Sequence, residues 1–198
     1  MHFASFDYAQ QILLPTCPDQ VGGLYFKTGR KIQLFGVADE GSGVQEAYFM
    51  DEGVESEKGS VSAAPFLDNH LSKIPFRINR LELQANNCVG LNKNNFIMLC
   101  ICWLASRGEF GIEEAAIHFM IPGHAKFRVD GFFGLGKSAL AKKEAGCILT
   151  MKSAWKSSVS GRKQERALVA DPIAGEVLAP TRNWKAFRLC FKISNIFL

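Results

Sequence analysis

Phe3 to Ala9, FASFDYA, alternates apolar with small or polar residues, the period-2 pattern of a half-buried strand. A loop follows, carrying Pro15, Pro18 and the pair Gly22-Gly23, and Leu24 to Phe26 begins another short strand. KIQLFGVAD (Lys31 to Asp39) and VQEAYFMD (Val44 to Asp51) read as the arms of a hairpin joined by the turn residues Glu40 to Gly43. After the polar GVESEKGS, apolar spacing from Val61 to Lys73 predicts a helix with Pro65 in its first turn. RLELQA, Arg80 to Ala85, places Leu81, Leu83 and Ala85 on one face of a strand. The polar loop NNCVGLNKNN leads into an apolar helix, Phe96 to Ala105, capped by Asn94 or Asn95. Ala116 to Ile121 forms a short buried strand stopped by Pro122-Gly123. Phe127 to Ala145 carries Phe132, Phe133, Leu135 and Leu140 at helical spacing, with Lys137, Lys142 and Lys143 facing water.

Three leading strands followed by alternating helix and strand predict an α/β fold, a mixed five-stranded sheet flanked by helices. The ribonuclease H-like fold has this order of elements. Past Gly146 the pattern weakens: Ser157 to Arg166 is polar and basic, and hydrophobic spacing returns only in NWKAFRLCFKISNIFL. The chain therefore divides into a domain at 1–145 and a C-terminal extension at 146–198.

Composition changes this picture little. Hydrophobic residues make up 47% and charged ones 21% of the 198 residues, ordinary for a folded chain. The net charge of +4 is compatible with nucleic acid without pointing to it. None of the six cysteines forms a C-x-x-C pair, so reduced, buried thiols of an intracellular protein are expected. Cys100 and Cys102 point to different sides of their helix and serve packing. The most apolar run, Phe96 to Ala105, spans ten residues, about half of a membrane crossing, and the first ten residues lack a secretory apolar core. A soluble chain with no membrane partner follows.

GFFGLGKS, Gly131 to Ser138, fits the phosphate-binding pattern G-x-x-x-x-G-K-[ST]. A P-loop directly follows a buried strand and wraps its amides around phosphate at a helix start. Here the charged KFRVD precedes the motif, and Phe132 and Phe133 suit a packing face. A P-loop nucleotidase built on Gly131, Gly136, Lys137 and Ser138, with ALVAD (Ala167 to Asp171) as its acidic strand, is the remote reading.

FDYAQ (Phe6 to Gln10), LFGVADE (Leu34 to Glu40), EKGS (Glu57 to Ser60), NCVG followed by NKNN (Asn87 to Asn95) and FMIPGHAKFRVDGFFG (Phe119 to Gly134) occur in that order. Together they resemble an uncharacterised family of transposon-derived proteins, of the domain of unknown function 7869 type, whose domain looks like a ribonuclease H-like integrase or transposase. The resemblance covers Phe3 to Lys143, with a weaker echo at Trp184 and Phe187. It implies a metal-dependent phosphodiester-cleaving or strand-transfer ancestry acting on DNA. Acidic residues on the first strand, the fourth strand and the last helix would gather Mg²⁺ or Mn²⁺ through oxygen ligands. Two such ions, roughly 4 Å apart, activate a nucleophilic oxygen and stabilise the leaving one.

Carried onto this chain, the resemblance makes Asp7 and Asp130 the metal-binding carboxylates and Asn86 the catalytic-position residue on the fourth strand. The family usually has aspartate where this chain has Asn86, and histidine and glutamine where it has Gln84 and Leu91. An amide offers a carbonyl oxygen but no negative charge, so the expectation is a catalytically degenerate copy, an inactive relative of a nuclease. Asp130 also suits a helix cap, and the two roles stay open. Asn87, Asn92, Lys93, His124 and Lys126 are candidate nucleic-acid contacts beside the site. The basic tract Lys152, Lys156, Arg162, Lys163 and Arg166 reads foremost as a solvated surface. The alternative function is a nucleic-acid- or protein-binding module without cleavage. The resemblance implies DNA as partner and the nucleus as location, although no strong basic import signal is present; no small-molecule substrate is expected.

Overall fold

The computed structural model describes residues 1–19, 22–53, 60–121, 123, 128–158 and 165–169. Among these residues seven strands build one mixed sheet: β1 (His2–Tyr8), β2 (Ile12–Leu14), β3 (Arg30–Asp39), β4 (Gln45–Asp51), β5 (Arg80–Ala85), β6 (Glu114–Phe119) and β7 (Glu165–Val169). Six follow in the order β6-β5-β1-β3-β4-β7, while β2 pairs β3 beyond the end of β1. Only β3 runs against its neighbours; β1 with β5, β5 with β6 and β4 with β7 are parallel pairs. β1 and β2 line the same flank of β3, with Tyr8 opposite Phe35 and Ile12 opposite Ile32. One residue more on their side than on β3 makes a bulge between them.

The helices are α1 (Gly22–Tyr25), α2 (Ser60–Ser72), α3 (Asn95–Ser106), α4 (Arg128–Leu140) and α5 (Ile148–Lys156). Strand alternation sorts the core into two layers. Phe6, Phe35, Tyr48, Leu81 and Leu83 pack with Phe66 and Leu67 of α2 and Ile97 and Leu104 of α3. Leu34, Ala47 and Phe49 pack on the other face with Val129 and Phe133 of α4 and Met151 and Trp155 of α5. Because both faces are covered, Ile32 to Ala38 is buried at every position, an uninterrupted run in place of alternation.

Glycine sets how closely α4 approaches. A Cβ on Gly36 of β3 would stand 2.7 Å from the Phe133 ring and 2.8 Å from Val129. One turn along α4, a Cβ on Gly136 would overlap the indole of Trp155. The motif GFFGLGKS is therefore the interior of a helix, with Phe132 and Phe133 buried and Gly136 the seat of Trp155. No loop is left to cradle a phosphate, and the P-loop reading fails.

Several expectations need correction. Among the described residues the sheet has six strands along its main path and the short β2 besides, where five were expected. Leu24–Tyr25 lies in α1, not in a strand; the flank of β3 at Arg30–Ile32 is already taken by β2. Pro65 sits in the second turn of α2. The strand expected at Ala116 to Ile121 starts at Glu114 and is half-buried; among the described residues β6 pairs with β5 alone. Leu135 is exposed. Beyond Gly146, α5 and β7 join the α4 layer and the sheet edge. Of the five described cysteines, all free, only Cys100 is buried; Cys102 and Cys147 are exposed. Lys152 is buried, not solvated. Asn94 caps α3, accepting the Ile97 N–H at 3.1 Å. Among the described residues no helix is long and apolar enough to cross a membrane.

Candidate active site

β1 and β5 end side by side, with Phe6 opposite Ala85 and both facing the α2–α3 core. Alternation turns the next residues, Asp7 and Asn86, toward the α4 layer. Across the ladder Asp7 faces Gly36, the residue on which Val129 and Phe133 of α4 rest. Asp130 follows Val129 as the third residue of α4, inside the first turn, where the helix dipole favours a carboxylate. Asp7, Asn86 and Asp130 thus meet above the carboxyl ends of two parallel strands.

Asp7 is 8% exposed. Its Oδ1 accepts the Tyr8 N–H at 2.8 Å and the Asn92 amide at 2.7 Å. Burial raises the Asp7 pKa above the ordinary carboxylate range and outweighs the Asn92 and Tyr8 hydrogen bonds. The Asp130 charge raises it further, while the Asn86 amide, standing beside the same carboxyl, opposes the rise.

Asn92 is delivered by a compact turn. The N–H groups of Leu91, Asn92 and Lys93 all converge on the Cys88 carbonyl, and Asn94 Nδ2 donates to the Leu91 carbonyl. The side chain of Asn92 is fully buried, and its Oδ1 has no hydrogen-bond partner among the described residues. The structure thus puts Asn92 behind Asp7, away from any surface path for a nucleic acid. Asn87 is half-buried; Lys93 lies with its ammonium 5.5 Å above the Phe119 ring, a cation–π contact. Gln84 Nε2 reaches the Met120 sulfur at 2.7 Å. His124, Lys126, EKGS apart from Ser60, Arg162, Lys163, Trp184 and Phe187 lie outside the described residues, and nothing is described of the Arg166 side chain.

Asp7, Asn86 and Asp130, named from the sequence, lie near one another, whereas the contact of Asn92 with Asp7 was not foreseen. The partners are 85 positions apart, and an asparagine in a turn reads as turn chemistry whatever it reaches.

The donor set is two carboxylates and one amide. Among the described residues, no group of three or more His, Cys, Asp or Glu side chains is placed to hold a metal ion. Two carboxylates offset half the charge of two divalent ions, and Oδ1 of Asp7 is already engaged by two protein donors. These residues do not fit a two-metal centre.

The model of the family described as Domain of unknown function (DUF7869) matches residues 31–183. The chain belongs to this family. The matched span runs from β3 past β7 and contains Asn86 and Asp130, while Asp7 on β1 precedes it. No curated protein and no solved structure matches the chain.

Proposed function

We propose that this DUF7869 chain is a transposon-derived, ribonuclease H-like domain. Its ancestral metal-dependent phosphodiester cleavage or strand transfer on DNA is lost in this copy. The observation that carries the reading is the meeting of Asp7, Asn86 and Asp130 at one point, with an amide where a third carboxylate belongs. The strand order supports it too: an antiparallel β1-β3-β4 meander extended by the parallel β5 and β6, with β1 at the centre.

The amides explain how such a site stays folded without metal. Clustered carboxylates in a low-dielectric site repel each other, and a cation or a set of N–H donors must answer them. Here Asn92, the Tyr8 N–H and Asn86 supply donors to Asp7. In this reading Asn86 takes over part of the cation's electrostatic role, and Asn92 is a positioning residue, not a phosphate contact. The domain then acts through binding, with DNA as the partner and the nucleus as the place of action.

The test compares the native chain with Asn86→Asp for Mn²⁺ binding by calorimetry and for Mg²⁺- or Mn²⁺-dependent cleavage of DNA. The native chain is expected to bind Mn²⁺ weakly and cleave nothing; the variant is expected to bind at least tenfold tighter, about 1.4 kcal/mol. Robust cleavage by the native chain, unimproved in the variant, would overturn the degenerate reading.

A further inference from the structure

A second buried polar cluster lies on the α2 side of the sheet, at the starts of β1 and β4. It is separate from the Asp7 site, which sits at the far end of β1 on the other face. Glu46, His2 and His70 are 1%, 3% and 7% exposed. Glu46 Oε2 accepts the Tyr48 hydroxyl at 2.7 Å and lies 3.1 Å from His70 Nδ1, while Lys73 Nζ donates to Oε1 at 3.2 Å. Burial raises the Glu46 pKa, but the His70 hydrogen bond and charge, the Tyr48 hydroxyl and Lys73 overcome it and bring it to about 2.

An ionised Glu46 accepts and cannot donate, so His70 Nδ1 carries a proton. The other ring nitrogen of His70, Nε2, faces Nε2 of His2 at 3.2 Å. That line has room for one hydrogen. If His70 is neutral, His2 donates; if His70 is charged, His2 must present a bare nitrogen. Charging both rings sets two N–H groups head to head inside the core.

We propose that His2 and His70 form an acid-released latch: they share one proton between their Nε2 atoms, and uptake of a second parts them. The parting frees the last turn of α2 from the start of β1. The groups around the pair fit this behaviour. Asp39 of β3 attracts a charge on His2, whereas the Met1 amino group and His70 oppose it. Glu46 and Tyr48 of β4 and Lys73 after α2 are committed to one another at the other end of the chain of contacts. Burial above all lowers the His2 pKa, with His70 adding to it.

The sign follows from proton counting. The parted form binds two protons and the closed form at most one, so falling pH favours parting. The latch is fully closed above the ordinary histidine value of about 6.5 and loses roughly tenfold in closing equilibrium per pH unit below it.

Hydrogen exchange at the amides of residues 66–73 tests this on the whole chain from pH 7.5 to 5.5, corrected for intrinsic rates. Protection in the native chain is expected to fall about tenfold. In His2→Gln, whose amide can donate to His70 Nε2 but does not titrate, it is expected to stay level. A level native profile, or an equal fall in His2→Gln, overturns the latch. Nitrogen NMR of the imidazoles in the native protein gives a second reading that needs no variant. It is expected to show Nδ1–H on His70 and one proton between the two Nε2 atoms; a doubly charged pair still in contact overturns the proposal.

Discussion

Asp7 is held in a place where its charge is a burden to the fold. Its raised pKa means that ionisation is harder in the folded chain than in the unfolded one. The penalty therefore grows as pH rises from the ordinary carboxylate range through the folded pKa, and it persists at neutral pH. Asp7→Asn keeps an acceptor for the Tyr8 N–H and the Asn92 amide and removes the charge. It is expected to stabilise the chain by about 0.5–2 kcal/mol at pH 7, the usual range of a single stabilising substitution. Urea unfolding at pH 7 and at pH 3 checks it: the gain should vanish at the lower pH, where both states are protonated. No gain at pH 7 would mean that the donors around Asp7 already answer its charge.

Among the elements, α4 depends most on small residues. Trp155 of α5 packs over Gly136, and Phe133 and Val129 pack over Gly36. Gly136→Ala is expected to destabilise the chain by about 1–3 kcal/mol through overpacking, despite the better helix propensity of alanine. Thermal unfolding measures it; a neutral or stabilising result would mean that α5 can shift aside. The same contacts explain what was legible in the sequence. Strands β1, β3, β4 and β5 and helices α2, α3 and α4 announce themselves through the spacing of their own apolar residues. The end of β6 that bears Glu114 does not, because that residue pairs with Arg80 across the ladder instead of packing in the core. α5 hides for another reason: its buried Met151, Ala154 and Trp155 are few, and a lysine lies buried among them. β7 is short, and what makes it a strand is β4. Asp7, Asn86 and Asp130 were singled out through the family resemblance, and their elements are well enough patterned to show that they lie at the ends of β1 and β5 and the start of α4. Asn92, His2 and Glu46 were not, because their roles come from long-range contacts that leave no local period.

At the scale of the whole molecule, the sheet separates two kinds of polar burial. One face ends in the Asp7 site, and the other begins with the Glu46–His70–His2 cluster. Glu46→Ala removes the acceptor that His70, Tyr48 and Lys73 share, and it is expected to cost about 3–5 kcal/mol at pH 7. The contribution of Glu46 is present above its ordinary value of 4.5 and is lost as pH falls toward about 2. The gap between native and variant unfolding curves should therefore close over that interval, well below the histidine range; a constant gap would refute the electrostatic account. The glycines under and beside α4 have one more consequence. Val129 seats α4 on Gly36 immediately before Asp130, and Trp155 seats it at Gly136, both through apolar contacts that do not involve the site residues. Scaffold and chemistry are thus uncoupled in this molecule. A single-base change in the codon for residue 86 can exchange amide for carboxylate while the backbone that aims it stays where it is.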